Sequence, residues 1–75
     1  MHPANKADPK DPKPGKFVYC TVDGKTQSWA TITVVAPDGS LSLNVHDDGG
    51  NILGGDEGYK PAEGMNHSVP KTWWA

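Results

Sequence analysis

From Phe17 onward apolar and polar residues alternate or cluster in short runs; before it there is almost nothing apolar to place. Phe17-Val18-Tyr19-Cys20-Thr21-Val22 is dense in β-branched and aromatic residues and predicts a strand. Asp23-Gly24 follows, a strong hairpin signal, because a type I′ turn needs positive φ at both central positions. A second strand is expected from about Thr26 to Val35. Ala36-Pro37-Asp38-Gly39 then reads as a turn, with Pro where a type I turn favours it and Gly at its end. Ser40-Leu41-Ser42-Leu43-Asn44-Val45-His46 alternates without a fault and predicts a third strand. Asp47-Asp48-Gly49-Gly50 ends it, and Asn51-Ile52-Leu53 predicts a short fourth. The remainder reads as Gly-rich loop until Val69-Pro70-Lys71-Thr72-Trp73-Trp74-Ala75. No stretch has the 3.6-residue apolar period of a helix. The expected fold is all-β: a small antiparallel meander or partly open barrel with an extended Pro/Lys-rich N-terminal arm. Residues 1–16 form the arm, flexible or bound to a partner, and residues 17–75 the β domain.

The alternation also predicts a register. Pairing Val34 with Leu41, Ile32 with Leu43 and Ala30 with Val45 puts all six on the core side and leaves a four-residue loop. A three-residue loop would slip the pairing by one and set Ile32 beside Asn44, which a half-buried sheet resists. A two-residue Asp23-Gly24 turn places Phe17 beside Ala30 and Tyr19 beside Ser28. The expected core is Phe17, Tyr19, Ala30, Ile32, Val34, Leu41, Leu43 and Val45, with a contribution from the C-terminus. The opposite face carries Trp29, Thr31, Thr33, Ser42, Asn44 and His46.

Four of the seven prolines lie within residues 1–16, and Asp-Pro-Lys occurs twice in succession. Proline removes backbone donors and fixes φ, so helix and central strand are both disfavoured. The arm should be polyproline-like and offer little to a core. Lys6, Lys10, Lys13 and Lys16 alternate with Asp8 and Asp11, a pattern suited to polar contact along another protein's surface.

Composition narrows the function classes. The chain has 75 residues, room for one domain, and a formal net charge of −2. Its seven basic side chains other than histidine are all lysines. Bidentate guanidinium recognition of phosphate or guanine is therefore absent, and duplex nucleic acid is not an expected partner. The longest apolar run, Ile32–Ala36, is too short to span a bilayer, so no membrane partner is expected. No basic start leads into an apolar stretch, so no secretory signal is read. Cys20 is the single cysteine, which forbids an intrachain disulfide and fits a reducing compartment.

Candidate chemistry is sparse. His46-Asp47-Asp48, with His67 and Asp56 or Glu57, has no zinc spacing. The acidic loop from Asp47 to Glu57 resembles a calcium loop but puts Gly49 where a third ligand belongs. Cys20 has no histidine near it in sequence, and no Gly-x-Ser-x-Gly turn is present. Gly49-Gly50 and Gly54-Gly55 match no phosphate loop. The chain thus reads as non-enzymatic, with no cofactor and no metal. The aromatics say more. Three Trp and two Tyr are many for this length. Neighbours in a strand point to opposite faces, so one of Trp73 and Trp74 enters the core while the other faces outward. An outward Trp near Trp29 would make an aromatic patch suited to partner contact or to stacking planar ligands. Trp29, Thr31, Thr33, Asn44, His46, Trp73 and Trp74 are the candidate binding residues.

Ala30-Thr31-Ile32-Thr33, Pro37-Asp38-Gly39, Leu41-Ser42-Leu43-Asn44-Val45, Asp48-Gly49 and Pro70-Lys71-Thr72-Trp73-Trp74 follow one another in a recognisable order. In this the stretch from Ser28 to Trp74 resembles a set of small proteins encoded by tailed bacteriophages. Their pattern carries Val/Leu-Asn-Leu-x-Val and ends in Gly-Thr-Trp-His-Trp-Pro; here the Asn lies later in the strand, at Asn44, Lys71 stands in place of the glycine, and the histidine between the tryptophans is missing. The resemblance implies a viral origin and a small β fold, and implies no activity. Two readings lead. One is a virion component, a capsid cement or decoration protein. It would bind protein partners such as the major capsid protein, as a homo-oligomer, in the virion or the host cytoplasm. The other is a small oligomer that sequesters a host signalling nucleotide. A single-stranded nucleic-acid-binding barrel is a third, disfavoured by the net charge.

Overall fold

A computed structural model describes residues 3–47 and 49–75. Five strands, β1 (Phe17–Thr21), β2 (Gln27–Val35), β3 (Leu41–His46), β4 (Ile52–Pro61) and β5 (Thr72–Trp74), close into a barrel in chain order. All neighbouring pairs are antiparallel except β4 and β5, which run parallel. Closure comes from β5, which pairs with β1 on one side and with the end of β4 on the other. The all-β class and the meander order are those the alternation predicts. Among the described residues no helix is long and apolar enough to cross a membrane.

The core is Val18, Cys20, Ala30, Ile32, Leu41, Leu43, Val45, Tyr59 and Trp73, joined by Ala7 from the arm. This corrects the sequence reading on β1. The pairs are Val18 with Ala30 and Cys20 with Ser28, so Val18 and Cys20 point inward. Phe17 and Tyr19 take the other face, opposite Thr31 and Trp29, where Tyr19 is half-buried while Phe17, as expected, is buried. A one-residue change of register moves every side chain of a strand to the other face. The cause lies in the turn. Only Gly24 of the Asp23-Gly24 pair has positive φ, so the turn is not type I′. Instead the Asp23 carboxylate accepts from the backbone N–H groups of Lys25 and Thr26, both at 2.8 Å. The Gly24 N–H donates to Thr21 Oγ1 at 2.9 Å. These bonds hold a five-residue loop between the Thr21–Gln27 pair, one step out of register with a two-residue turn.

The second hairpin shows a different correction. Val35, not Val34, pairs with Leu41, and Val34 is exposed. The loop is the three-residue one: Ala36 N–H donates to Ser40 O, Gly39 N–H donates to Ala36 O, and Gly39 takes φ 90°. A three-residue loop of a type I turn followed by a left-handed glycine is a common hairpin solution. The slip it imposes is removed by a bulge between Ile32 and Val34, after which Ile32 meets Leu43 and Ala30 meets Val45, as predicted. A bulge adds one unpaired residue to one strand, here Thr33, and so restores alternation.

β4 runs far past Leu53, to Pro61, with two irregularities against β3. Its only buried side chain is Tyr59. The arm lies along the barrel. Ala7 N–H donates to Phe17 O at 2.9 Å, and Gly15 N–H donates to Ile32 O at 2.9 Å. Between them the chain turns at Asp8–Asp11, where Asp11 N–H donates to Asp8 O. Small and unbranched, Ala7 is only 4% exposed, so the arm does contribute one residue to the core, against the expectation from composition.

Candidate functional site

The register of β1 creates the main surface feature. Tyr19 pairs with Trp29 on β2 and with Trp74 on β5, and Trp29 pairs with His46 on β3. Residues directly opposite on paired strands project to the same face. His46, Trp29, Tyr19 and Trp74 therefore form one row across four adjacent strands. Beyond Trp74 stands His67, from the crossover between β4 and β5, stacked on the indole with centroids 3.6 Å apart and planes 8° apart. At the other end His46 stacks on Trp29 at 4.0 Å and 3°. All five residues are half-buried.

Hydrogen bonds fix the His46 end. Nδ1 lies 3.2 Å from the Gly50 carbonyl, and Nε2 lies 2.9 Å from Thr31 Oγ1. A carbonyl only accepts, so Nδ1 carries the proton there and, in the neutral ring, Nε2 accepts from Thr31. The Asp47 turn presents Gly50 to it. The Asp47 carboxylate accepts from the N–H groups of Gly49 and Asn51, both at 2.9 Å, and from the Asn51 side-chain amide at 3.2 Å. Those bonds, the Asn51 ones foremost, hold its carboxyl below the usual carboxylate range. Asp47 thus serves as a turn residue. Asp48 lies outside the described residues. Among those described, no three His, Cys, Asp or Glu side chains gather as a metal would require. Beside Trp29 and His46 lies a groove of about 500 Å³, lined also by Tyr19, Thr26, Gln27, Ser28, Asp47 and Leu53.

The predicted binding residues divide. Trp29, His46 and Trp74 belong to the row, and Thr31 bonds its His46 from the neighbouring position. Thr33 and Asn44 line a separate shallow depression shared with Gly55, Asp56 and Glu57. There Thr33 Oγ1 donates to Ser42 O at 3.1 Å. Asn44 leans over Gly55, where a Cβ would stand 2.7 Å from Asn44 Oδ1. Trp73 is not at the surface at all: it is 3% exposed, in the core opposite Cys20. Trp74, next to it, takes the outward place. Sequence reasoning missed Tyr19 and His67. Tyr19 was lost to the one-residue register error on β1. His67 had no local signal, since only the crossover's path brings it to Trp74.

The arm lysines are not equivalent. Lys6 stands over the Tyr19 ring, its Nζ 5.5 Å from the centroid. Lys16 Nζ donates to Ala4 O at 3.2 Å, and Lys13 pairs with Asp11 at 3.4 Å where both are well exposed. The Lys10 backbone N–H donates to Asp8 Oδ1. Cys20 is fully buried, and that burial pushes its thiol up to about 11, far from a nucleophile's range.

No protein-family model, curated protein or solved structure matches this chain.

Proposed function

We propose that this protein is a non-enzymatic interaction module of a phage particle, a decoration or cement component that docks on a protein partner through its aromatic row. The observation that carries the docking role is the continuous series His46, Trp29, Tyr19, Trp74 and His67 across one face. Tyr and Trp anchors dominate the binding energy of many interfaces, because each buries a large rigid area at little entropic cost. The phage origin rests on the sequence resemblance. Mass spectrometry of purified virions tests the placement, and this chain at many copies per particle is the expected result. Its absence from particles removes the virion reading. Docking is tested with Trp29→Ala and Trp74→Ala, which should each weaken association with particles by at least about tenfold while the fold persists. Wild-type association by both variants would exclude the row as the docking face.

The groove beside Trp29 favours a second reading, capture of a signalling nucleotide. Its volume is in the range of small-ligand sites, and Thr26, Gln27 and Ser28 offer hydrogen bonds beside a stacking indole. Calorimetry with nucleotides separates the readings: tight binding to the free chain, abolished by Trp29→Ala, favours sequestration. Single-stranded nucleic-acid binding draws less support. The strand order is a simple meander, unlike the Greek-key oligonucleotide-binding barrel, and the net charge is −2.

A further inference from the structure

Tyr19 is the middle ring of the row, and its surroundings define a particular chemistry. Trp29 flanks it from β2 and Trp74 from β5. Phe17, two residues earlier on the same face, meets it edge-on at 6.1 Å and 83°. Aromatic side chains therefore border Tyr19 on three sides. The face of an aromatic ring carries negative potential, and a cation placed over it is attracted electrostatically. A ring face of this kind, with further aromatic residues on the neighbouring strands, favours an organic ammonium over a neutral group of the same shape. Among the described residues lining the adjoining groove, the charged one is Asp47, an anion. Lys6 shows what the seat accepts, since its ammonium already stands there.

We propose that the Tyr19 seat is a binding site for an organic ammonium group, a lysine or methylated lysine side chain presented on an extended partner segment, with Lys6 as its occupant in cis. The proposal rests on reading the aromatic face as the docking face, and it names the partner's chemistry. The way Lys6 is delivered supplies the rest of the recognition. Lys6 forms a parallel bridge with Phe17, and the next residue, Ala7, donates its N–H to Phe17 O and buries its methyl group in the core. A partner segment laid beside Phe17, at the end of β1 that β5 leaves unpaired, reproduces these contacts if it carries lysine followed by a small residue. Addition of an extended segment beside a strand, with backbone bonds for affinity and side-chain seats for specificity, is a general mode of peptide recognition. Ala7 aside, the arm buries little against the barrel. Apart from the half-buried Pro12, residues 8–15 are exposed, and Lys6 itself is exposed.

Because Lys6 competes in cis, the apparent affinity for an external ammonium is lowered by the fraction of time the seat is taken. The test uses the full-length chain and its Lys6→Gln variant, each titrated with N-acetyl-trimethyllysine methylamide. Binding is read from the NMR shifts of the Tyr19 ring and of the Trp29 and Trp74 indoles. The neutral tert-butyl isostere of the probe is the control. The expected result is saturable binding in Lys6→Gln, at least about fivefold tighter than in the native chain. The isostere should bind at least about tenfold more weakly. Tyr19→Leu, which keeps the bulk but not the ring, should abolish the binding. Equal affinity in the native and Lys6→Gln chains overturns the role of Lys6. Equal binding of the isostere overturns the ammonium assignment. If virions carry the protein but the probe does not bind, the docking reading stands and this one falls. If the probe binds and virions lack the protein, the reverse holds.

Discussion

β3 and β4 are hydrogen-bonded neighbours, yet every second side chain of β3 is buried while β4, nearly twice as long, buries only Tyr59. β3 is a strand because its sequence demands one: Leu41, Leu43 and Val45 need a common core, and Ser42, Asn44 and His46 need the other face. β4 is a strand because β3 offers it backbone partners. Ile52 and Leu53 are 61% and 65% exposed, and glycines occupy positions 54, 55 and 58. The first kind of strand has its stability in apolar burial and the second in its neighbours. The aromatic row stands on the first kind, on β1, β2 and β3, with β5 and the crossover completing it.

The largest effects should separate these two kinds of strand. Leu43→Ala removes a fully buried side chain and should cost about 2–5 kcal/mol, whereas Leu53→Ala should stay within about 0.5 kcal/mol. The adjacent tryptophans repeat the contrast within β5. Trp73→Ala should cost about 3–5 kcal/mol, and Trp74→Ala, at the half-exposed outer position, much less. Urea unfolding of the four variants measures all of this. A Leu53→Ala cost equal to that of Leu43→Ala would mean that β4 is packed against something that gives it a core of its own.

The same contrast explains what could be read from the sequence. The central pairs Ile32–Leu43 and Ala30–Val45 were legible because both partners alternate. β4 beyond Leu53 was not, because Gly54, Gly55, Asp56, Glu57 and Gly58 carry no apolar period and low strand propensity. The turns were legible as turns but not in their lengths, and each length moved a strand by one residue. Before β2 the shift went uncorrected, and it carried Tyr19 outward into the row. After β2 the bulge at Thr33 absorbed it. Three of the five rings, Trp29, His46 and Trp74, were therefore visible, with Thr31 beside His46. The central ring was hidden behind one carboxylate, Asp23, whose bonds to Lys25 and Thr26 set the loop length.

A glycine substitution tests that loop. Gly24 has φ 80°, and a Cβ there would stand 2.5 Å from the Ser68 carbonyl oxygen. Gly39 has φ 90° with open space around it. Gly39→Ala should cost about 1–2 kcal/mol from left-handed strain alone. Gly24→Ala should cost more, because the crossover backbone must also move. Since that crossover carries His67, the variant should also shift the Trp74 indole signal. Thermal unfolding and NMR read the two effects, and equal costs would mean that the Ser68 contact yields freely.

Acid should act on the turns rather than on the core. The carboxyls of Asp23, Asp38, Asp47 and Asp56 lie below the usual carboxylate range. The causes are, in turn, the Thr26 N–H, the Ser40 hydroxyl, the Asn51 N–H and the Lys71 ammonium, each the leading donor. A carboxyl with a lowered folded value contributes stability above its unfolded value, about 3.9, and loses it as pH falls through the folded value. Urea midpoints should therefore be flat from about pH 7 to 5 and fall below about pH 4. Asp47→Asn should soften that fall. An unchanged acid limb in Asp47→Asn would show that this turn is not among the groups that set it.

The smallest expected effect concerns Lys71, at the junction of β4, β5 and β1. Among the described residues it is the non-glycine with positive φ, at 56°. Its N–H donates to Thr21 O at 2.9 Å and its carbonyl accepts from Lys60 N–H at 3.0 Å, so strands on both sides hold the backbone in place. A lysine in that conformation costs about 1–2 kcal/mol relative to a right-handed one. Two contacts offset part of the strain. Nζ lies 3.0 Å from Asp56 Oδ2 and 5.4 Å from the Tyr59 ring centroid. An exposed pair of this kind contributes about 0–1 kcal/mol and weakens in salt. Lys71→Ala loses the contacts and keeps the strain, so it should destabilise by up to about 1 kcal/mol at low salt and less at high salt. Lys71→Gly loses the same contacts but relieves the strain, so it should be about 1 kcal/mol more stable than Lys71→Ala at any salt concentration. Urea unfolding of both variants at two ionic strengths separates backbone from side chain. A glycine variant no more stable than the alanine one would show that the turn at Lys71 is unstrained, and that lysine stands there for its contacts with Asp56 and Tyr59.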